Sequence, residues 1–288
     1  MFKGSFVAIV TPFKNGKVDK TKFRELIEFQ IENGTDGIVP AGCTGEAATL
    51  THQEQTALVK LTCEIVNDRV PVIAGAGSNS TAEAVSLTKC AKRAGADGIL
   101  SITPYYNKPT PEGQYRHYEA VAKAVDIPIM IYNVPSRTGI SIKPETVARL
   151  SKIDNIAAIK EASGSLDQVS QIISLCDITV LSGDDSLTLP MMAVGARGVV
   201  SVVANVVPGE VHEMTKAYLD GNIEEARKMH YKILPLCKAM FIETNPLPVK
   251  TSLKMLGMLN GEMRLPLCEM EAKNRATLKK ALKEYGLL

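Results

Sequence analysis

Short apolar runs rich in β-branched residues recur along the whole chain, and longer segments with helical periodicity separate them. Strands that stay apolar without polar alternation are typical of parallel sheets that are covered on both faces. Eight such strands alternating with helices favour an α/β fold closed as a (β/α)8 barrel over an open, doubly wound sheet. The predicted strands are Phe6–Val10, Gly37–Ala41, Pro71–Ala74, Gly98–Ile102, Pro128–Tyr132, Ile156–Lys160, Thr179–Ser182 and Gly198–Val202.

The segments between the strands contain the signals that begin and end helices. Asp19 and Thr21 are candidate N-caps of the first helix, and Asn33-Gly34 is a candidate left-handed C-cap at its end. Ser80-Thr81-Ala82-Glu83 has the spacing of a capping box and predicts a helix that continues to Ala94-Gly95. These are ordinary structural signals, and they assign no function.

More helical material follows the eighth strand than a barrel needs. The segment Pro208–Leu219 predicts the helix that closes the barrel, and the segments after it predict a C-terminal extension of three helices. We therefore expect residues 1–222 to form the barrel and residues 223–288 to form an extension that packs on the barrel or on another subunit. The predicted helices of this extension are Ile223–Phe241, Val249–Leu259 and Glu269–Tyr285.

Composition and charge argue against several classes of protein. The 288 residues are 45% apolar, enough for one large core, and 33 basic residues nearly balance 31 acidic ones to give a net charge of +2. This balance, without blocks of like charge, argues against a nucleic-acid-binding protein and a membrane-surface protein. No apolar stretch reaches the length of a membrane span, and the first residues lack the features of a signal peptide. The six cysteines are scattered without metal-ligand spacing, so we expect a cytoplasmic enzyme with no bound metal.

Reactive residues are concentrated where the predicted strands end, which is where the catalytic groups of a (β/α)8 barrel lie. Lys160 ends the apolar run Ile156–Lys160, where period-two alternation places it on the same side as Ala158 and Ile156. A lysine buried there is unfavourable unless it is paired or neutral, and a neutral lysine is a nucleophile towards carbonyl carbons. The alternative is a solvated lysine paired with a loop carboxylate, and strand position does not decide between the two.

Tyr132 ends the preceding predicted strand, so we expect its side chain next to that of Lys160. A phenol there can transfer protons while a carbinolamine and a carbon–carbon bond form. The alternative for Tyr132 is a core tyrosine whose hydroxyl donates to the backbone.

Two other loops provide candidate sites for carboxylates. Gly42-Cys43-Thr44-Gly45-Glu46 is a turn with exposed N–H groups that leads into a helix, an arrangement that favours an anion. Arg137, in the loop after the Tyr132 strand, can bind a second carboxylate through two parallel N–H bonds. Each signal is weak by itself, because glycine-rich turns and surface arginines are common.

Several motifs, taken together and in order, resemble those of the dihydrodipicolinate synthase / N-acetylneuraminate lyase family, and the resemblance extends over essentially the whole chain. The segment Asn133–Gly139 is similar to the branch that condenses pyruvate with L-aspartate 4-semialdehyde, the first committed step towards diaminopimelate and lysine. The motifs are Gly42-Cys43-Thr44-Gly45-Glu46, Thr103-Pro104-Tyr105-Tyr106-Asn107, Tyr132–Gly139, Ile159-Lys160-Glu161-Ala162, Ser182-Gly183-Asp184-Asp185 and Glu243–Lys250.

The resemblance implies a role for each of five residues. Lys160 is expected to form an imine with pyruvate, and Tyr132 to be the phenol that transfers protons. Thr44 and Val200 are expected to hold the pyruvate end, and Arg137 to receive the carboxylate of the aldehyde substrate. A protonated imine withdraws electrons, so the methyl group of pyruvate can lose a proton and give an enamine that attacks the aldehyde. This chemistry needs no metal and no organic cofactor.

The resemblance also implies an assembly. Tyr106 is expected to complete the proton relay of a neighbouring subunit, in a homotetramer built as a dimer of tight dimers. Gly183, in the Ser182–Asp185 motif, is implied as a further substrate-binding position.

Cys43 departs from the usual pattern of the family, which has a hydroxyl residue, commonly threonine, at this position. That hydroxyl is expected to link the two tyrosines, and a thiol is a weaker hydrogen-bond partner. The sequence therefore predicts a slower proton relay, or one with a different pH dependence. The alternative is that Cys43 is only a small packing residue and that water completes the relay.

A second departure concerns feedback inhibition by lysine, which some members of the family bind in a pocket at a dimer interface. Glu83 and Asn79 are expected to bind ammonium groups and Tyr105 the carboxylate, whereas Gln55 replaces the histidine or glutamate of many sensitive members. Lysine binding is therefore a hypothesis. The matching positions are Ala48, Leu50, His52, Asn79, Glu83 and Tyr105.

Two other functions stay open at this point. A related aldolase acting on N-acetylneuraminate or a 2-keto-3-deoxy sugar acid would share Lys160 and Tyr132 but would need a site for sugar hydroxyls in place of Arg137. A barrel that senses a keto acid without catalysis is a further alternative, although the presence of Lys160 and Tyr132 together argues against it.

Overall fold

All eight segments predicted as barrel strands are strands of one sheet in residues 2–288, which the computed structural model describes. A short hairpin, β2–β3, adds to them. In chain order the strands are β1 Gly4–Ala8, β2 Phe13–Lys14, β3 Lys17–Val18, β4 Gly37–Val39, β5 Ile73–Gly75, β6 Gly98–Ile102, β7 Ile129–Asn133, β8 Ile156–Glu161, β9 Thr179–Ser182 and β10 Gly198–Ser201.

The sheet is parallel throughout and closes on itself. Its strand order is β4-β1-β10-β9-β8-β7-β6-β5. A parallel bridge between Ile38 and Val72 joins the two ends of this order, and the Ile38 N–H donates to the Pro71 carbonyl at 3.0 Å. The prediction of a (β/α)8 barrel is confirmed.

Helices follow the barrel strands and cover the outside of the sheet. The three helices predicted for the C-terminal extension are present, with ends that differ by a few residues from those predicted. The helices are α1 Lys20–Glu32, α2 His52–Val66, α3 Thr81–Arg93, α4 Pro111–Lys123, α5 Pro135–Thr138, α6 Pro144–Leu150, α7 Leu166–Leu175, α8 Thr188–Ala193, α9 Pro208–Leu219, α10 Ile223–Ala239, α11 Leu247–Met255 and α12 Ala272–Tyr285.

The predicted caps form in part. The Asp19 side chain accepts from the Lys22 N–H at 3.1 Å and caps α1, and Ser80 accepts from the Glu83 N–H at 3.4 Å and caps α3. The Glu83 carboxylate accepts a hydrogen bond from the Ser78 hydroxyl at 2.8 Å instead of returning to the cap. The second half of the predicted capping box is therefore not formed.

Two clusters of buried apolar side chains make up the hydrophobic core. The outer cluster lies between the sheet and the helices and extends through most of the molecule. The inner cluster fills the barrel beneath the ends of the strands. Its buried members are Phe2, Phe6, Ala8, Val39, Ile73, Leu100, Met130, Tyr132, Val134, Ala158, Leu181 and Val200.

The strand that carries Lys160 contains a β-bulge at Ala157. Ile129 of β7 pairs with Ile156, whereas its successor in β7 pairs with Ala158. The extra residue shifts the alternation by one, so Ile156 packs in the outer cluster and Ala158 packs inside the barrel. The prediction that Ile156 faces the same side as Lys160 is therefore wrong, and the prediction for Ala158 is confirmed.

The hairpin β2–β3 was not predicted, although the sequence contains a signal for it. Asn15 and Gly16, with φ of 54° and 73°, form its turn, and Asn-Gly is the preferred pair for such a turn. The N–H groups of both residues donate to the carboxylate of Glu262, at 2.9 and 2.6 Å. The C-terminal extension therefore holds this hairpin.

The extension packs directly on the barrel. Leu247, Val249 and Leu253 of α11 are buried in the same outer cluster as barrel residues such as Ile9. A boundary between residues 222 and 223 stays a prediction. Within residues 2–288, none of the helices is both long and apolar enough to cross a membrane.

Candidate active site

Lys160 and Tyr132 lie side by side inside the barrel. They are direct register partners of β8 and β7, and both are buried, with exposed fractions of 5% and 6%. The Lys160 Nζ lies 4.2 Å from the centroid of the Tyr132 ring. The expected meeting of an amine and a phenol at neighbouring strand ends is therefore present.

The surroundings of Lys160 favour a neutral amine. Burial lowers the pKa of Lys160 to about 8, and the nearby Arg137 guanidinium acts in the same direction. Gly183 leaves room for the lysine, since a Cβ at this position would lie 2.9 Å from the Lys160 Cε. Any other residue at position 183 would therefore crowd the Lys160 side chain.

Asp185 is a buried carboxylate near Lys160 that the sequence did not single out by itself. Its Oδ1 accepts from the Ser201 hydroxyl, and its Oδ2 accepts from the N–H groups of Val202 and Val203 at 3.0 and 3.1 Å. Burial raises the pKa of Asp185, although these hydrogen bonds favour its charged form. The negative charge of Asp185 raises the pKa of Lys160 and so opposes the effect of burial.

The Cys43 thiol lies beside Tyr132. Burial raises the pKa of Tyr132 well above its usual value, and Cys43 adds to this rise. Tyr132 therefore stays a protonated phenol at neutral pH, able to donate a proton and to take it back. The expected contact of Cys43 with Tyr132 is therefore present, and its part in a proton relay stays a prediction.

The turn Gly42–Glu46 is held in an unusual backbone conformation. Ala41, just before the turn, and Glu46, at its end, have φ of 54° and 57°, in the left-handed region that non-glycine residues rarely adopt. The Thr11 hydroxyl donates to the Gly45 carbonyl at 2.7 Å. Only a short 3-10 helix, Ala47–Thr49, follows directly, so the expected α-helix N-terminus does not adjoin the turn.

Asn245, from the loop before α11, links two of the expected binding residues. Its Nδ2 donates to the Thr44 Oγ1 at 2.9 Å, and its carbonyl accepts from the Arg137 Nη2 at 2.8 Å. The motif Glu243–Lys250 pointed to this segment without a role for it. The C-terminal extension therefore contributes to the site.

Arg137 lies on α5, at the rim of the site. Its bond to the Asn245 carbonyl uses one guanidinium donor, and the residue lines the cavity described below. Val200 is fully buried in the inner cluster with Tyr132, below the rim. Thr44 is also buried, and its hydroxyl accepts from the Asn245 side chain.

A cavity of about 440 Å³ opens between these loops. Cys43, Tyr132 and Arg137 line one part of it, and Asn245 lies beside them. The same cavity continues past most of the positions that were matched to lysine binding, namely Ala48, Leu50, His52, Glu83 and Tyr105. Asn79 is not among the residues that line it, and its carbonyl accepts from the Asn107 side chain at 2.9 Å.

Tyr106 lies away from Tyr132 of its own chain. Its side chain is 89% exposed and does not line the cavity, and its φ is 69°. The Tyr106 ring is therefore available for contacts outside its own chain.

Comparisons with known proteins cover the barrel and the extension together. A model of the dihydrodipicolinate synthetase family matches residues 1–285. A 4-hydroxy-tetrahydrodipicolinate synthase of Geobacter sulfurreducens is 59% identical over 290 residues, with 100% of both chains covered. The crystal structure of dihydrodipicolinate synthase from Aquifex aeolicus is 51% identical, with a TM-score of 0.98 over 99% of each chain. A structure described as the first monomeric dihydrodipicolinate synthase variant is 44% identical, with a TM-score of 0.97 over 100% of this chain and 98% of that chain.

Proposed function

The chain belongs to the dihydrodipicolinate synthetase family, and we propose that its barrel site works through an imine between Lys160 and pyruvate. The reaction is the condensation of pyruvate with L-aspartate 4-semialdehyde to 4-hydroxy-tetrahydrodipicolinate, a lyase reaction of lysine and diaminopimelate biosynthesis. The observation that carries the role of Lys160 is its burial beside Tyr132, with a pKa lowered to about 8.

The chemistry balances without a further reactant. The Lys160 amine attacks the keto carbon of pyruvate, and water leaves to give a protonated imine. The methyl group then loses a proton, and the resulting enamine attacks the aldehyde carbon of the second substrate. Finally the amino group of that substrate displaces Lys160 from the imine carbon, which closes the ring and regenerates the free lysine. One water is released in total.

Tyr132 is the group that moves protons in these steps. Its phenol lies against the amine, and its raised pKa keeps the hydroxyl protonated until a developing alkoxide or hydroxide needs a proton. Each addition to a carbonyl carbon creates such an oxygen.

The two substrate carboxylates are assigned to different loops. The turn that contains Thr44 receives the carboxylate of pyruvate, and Val200 and Gly183 are assigned to the same part of the site. Arg137, at the rim of the cavity, receives the carboxylate of the aldehyde. This division places the reacting carbons between the two loops, above Lys160.

Borohydride trapping tests the proposed imine. Incubation with pyruvate and sodium borohydride should add one reduced pyruvate to the peptide that contains Lys160, as read by mass spectrometry. Because reduction fixes only an imine, the adduct should not form when pyruvate is left out. A protein that consumes no aspartate semialdehyde and gains no mass at Lys160 would refute the aldolase function altogether.

The proposed assembly is a homotetramer built as a dimer of dimers, in which Tyr106 completes the relay of a neighbouring subunit. The exposure of its ring in the single chain supports this. A monomeric variant is known among the similar structures, so the assembly needs its own measurement. A monomer in sedimentation velocity, with full activity, would contradict the role of Tyr106.

A cytoplasmic location is part of the proposal. Each of the six cysteines is free, which is typical of a reducing compartment. Recovery of the native protein in a periplasmic fraction would contradict this location.

Changing Cys43→Thr tests the departure at the proton relay. We expect kcat to rise roughly 2- to 10-fold, with a shifted pH profile, because a hydroxyl is a stronger hydrogen-bond partner for Tyr132 than a thiol. Steady-state kinetics between about pH 6 and pH 9, a range that includes the pKa of about 8 of Lys160, would measure the effect. The control is Cys63→Thr, at a half-buried cysteine of α2. An unchanged kcat across this pH range would leave Cys43 as a packing residue.

Lysine is proposed to bind in the part of the cavity beyond Cys43. Glu83 and Tyr105 line that part and would meet its ammonium and carboxylate groups. The Glu83 carboxylate already accepts from Ser78, so one of its oxygens is engaged. Calorimetric titration with lysine that gave no heat of binding would dispose of this proposal.

A further inference from the structure

An ion pair between Lys250 and Glu46 is completely buried. The Lys250 Nζ lies 2.5 Å from the Glu46 Oε1, and both side chains have an exposed fraction of 0%. Below them, the ring of Phe13 lies 4.5 Å from the Lys250 Nζ. The pair is outside the set of residues to which the reaction assigns chemistry.

The pair joins two parts of the chain that both form the site. Glu46 ends the turn that contains Thr44, in the left-handed conformation with φ of 57°. Lys250 lies on α11, directly after the loop in which Asn245 donates to the Thr44 Oγ1. The other carboxylate oxygen of Glu46 accepts from the backbone N–H of Arg264 at 3.4 Å. The extension therefore holds both the middle and the end of this turn.

Stability alone is a poor reason for such a pair. Two charges lose their hydration on burial, and an apolar pair of the same size is often as stable or more stable. Burial lowers the pKa of Lys250, and the charge of Glu46 only partly offsets this. What an apolar pair would not supply is a short, directional contact that fixes the position of the Glu46 carboxylate.

We infer that Glu46 and Lys250 are positioning residues for pyruvate: their ion pair fixes the turn so that Thr44 and the N–H groups of the turn face the substrate carboxylate. Both side chains are fully buried, and they act on pyruvate only through the turn. The inference rests on the proposed function, in which this turn binds pyruvate. It assigns the C-terminal extension a part in substrate affinity and not only in assembly.

The experiment compares Glu46→Gln, Lys250→Met and the double variant. Each single change leaves one polar partner alone, whereas the double variant removes both charges and should recover the Tm lost in Lys250→Met. The half-saturating pyruvate concentration is measured by borohydride trapping at a series of pyruvate concentrations. In the double variant it should rise about tenfold or more, with kcat at saturation within about threefold, because a loosened turn weakens binding of the ground state and the transition state alike.

The matched control is Glu210→Gln. Glu210 of α9 pairs with Lys232 of α10 at 3.2 Å and also joins the barrel to the C-terminal extension. Neither residue has a hydrogen bond or an ion pair with the turn Gly42–Glu46 or with Arg264 in the described part of the chain. We expect a lower Tm with an unchanged half-saturating pyruvate concentration. This separates loss of stability from loss of positioning.

The outcomes separate the inference from the proposed function. A double variant that folds and is half-saturated within about twofold of the wild-type concentration would overturn the inference. If the double variant does not fold, the half-saturating pyruvate concentration of Glu46→Gln is compared with that of the wild type instead. Glutamine keeps the shape of the glutamate side chain, so this variant should fold. No trapped pyruvate in the wild-type protein would instead refute the imine at Lys160.

Discussion

Replacing Lys160 with methionine should abolish the trapped pyruvate adduct and lower kcat at least about 10³-fold, on the scale of losses seen when a covalent nucleophile is removed. Methionine has a similar length and no charge, so the buried position should tolerate it and the Tm should not fall. The two measurements are intact mass after borohydride reduction and the rate of condensation.

The control for this change is Lys152→Met, at an exposed lysine just before the same strand. It should keep the adduct and the activity. A Lys160→Met protein that still gained mass with pyruvate would place the imine on another lysine.

The pH dependence of trapping gives a second check on Lys160. Only the free amine attacks the keto carbon, and with a pKa of about 8 the amine is mostly protonated at lower pH. The trapping rate at low pyruvate concentration should therefore rise as pH increases up to about 8 and level off above it. A rate that went on rising to pH values near 10, roughly the ordinary value for lysine, would show an unperturbed amine.

Replacing Tyr132 with phenylalanine should lower kcat roughly 10²–10⁴-fold, the range found when a group that transfers protons is lost. The ring that lies against Lys160 remains, so the fold and the packing of the amine should be kept. The pyruvate adduct should still form, but slowly, because imine formation then depends on protons from water. Single-turnover trapping and steady-state kinetics together separate this effect from a loss of binding.

Tyr118→Phe is the matched control, since this tyrosine is also fully buried and its hydroxyl donates to the Ser101 carbonyl at 3.3 Å. Its loss should reduce stability by roughly 0.5–1.5 kcal/mol, the net worth of one hydrogen bond, and leave kcat unchanged. Equal losses of activity in the two variants would mean that Tyr132 has only a structural role.

The local pattern of apolar residues was sufficient to predict the barrel and the pairing of Lys160 with Tyr132. The strands are buried on both faces, and this alone makes them apolar without alternation, so their number and order could be read along the chain. Lys160 and Tyr132 could be paired because parallel neighbours bring their ends to the same face of a barrel. The resemblance to a family then assigned roles that position alone left open, such as those of Thr44 and Arg137.

Short-range reasoning failed where the backbone departs from a regular repeat. The bulge at Ala157 moves Ile156 to the outer core, and no residue type at this place marks it. The Asn15-Gly16 pair favours a hairpin turn, but the two strands that it joins have only two residues each and show no alternation. The turn before Ala47 leads into a 3-10 helix and not directly into α2, because Thr51 and Glu54 start that helix later with their own capping box.

The sequence by itself determined the fold class and the meeting of Lys160 with Tyr132 at neighbouring strand ends, because both depend on burial and periodicity over a few residues. Only the tertiary structure decided what surrounds them. Asn245 reaches Arg137 across 108 positions of the chain, and Lys250 reaches Glu46 across 204. Such contacts depend on how the extension packs on the barrel, and local periodicity contains no information about it. Burial inside the barrel removes water from Lys160, and this loss of hydration lowers the pKa on which its proposed reactivity depends.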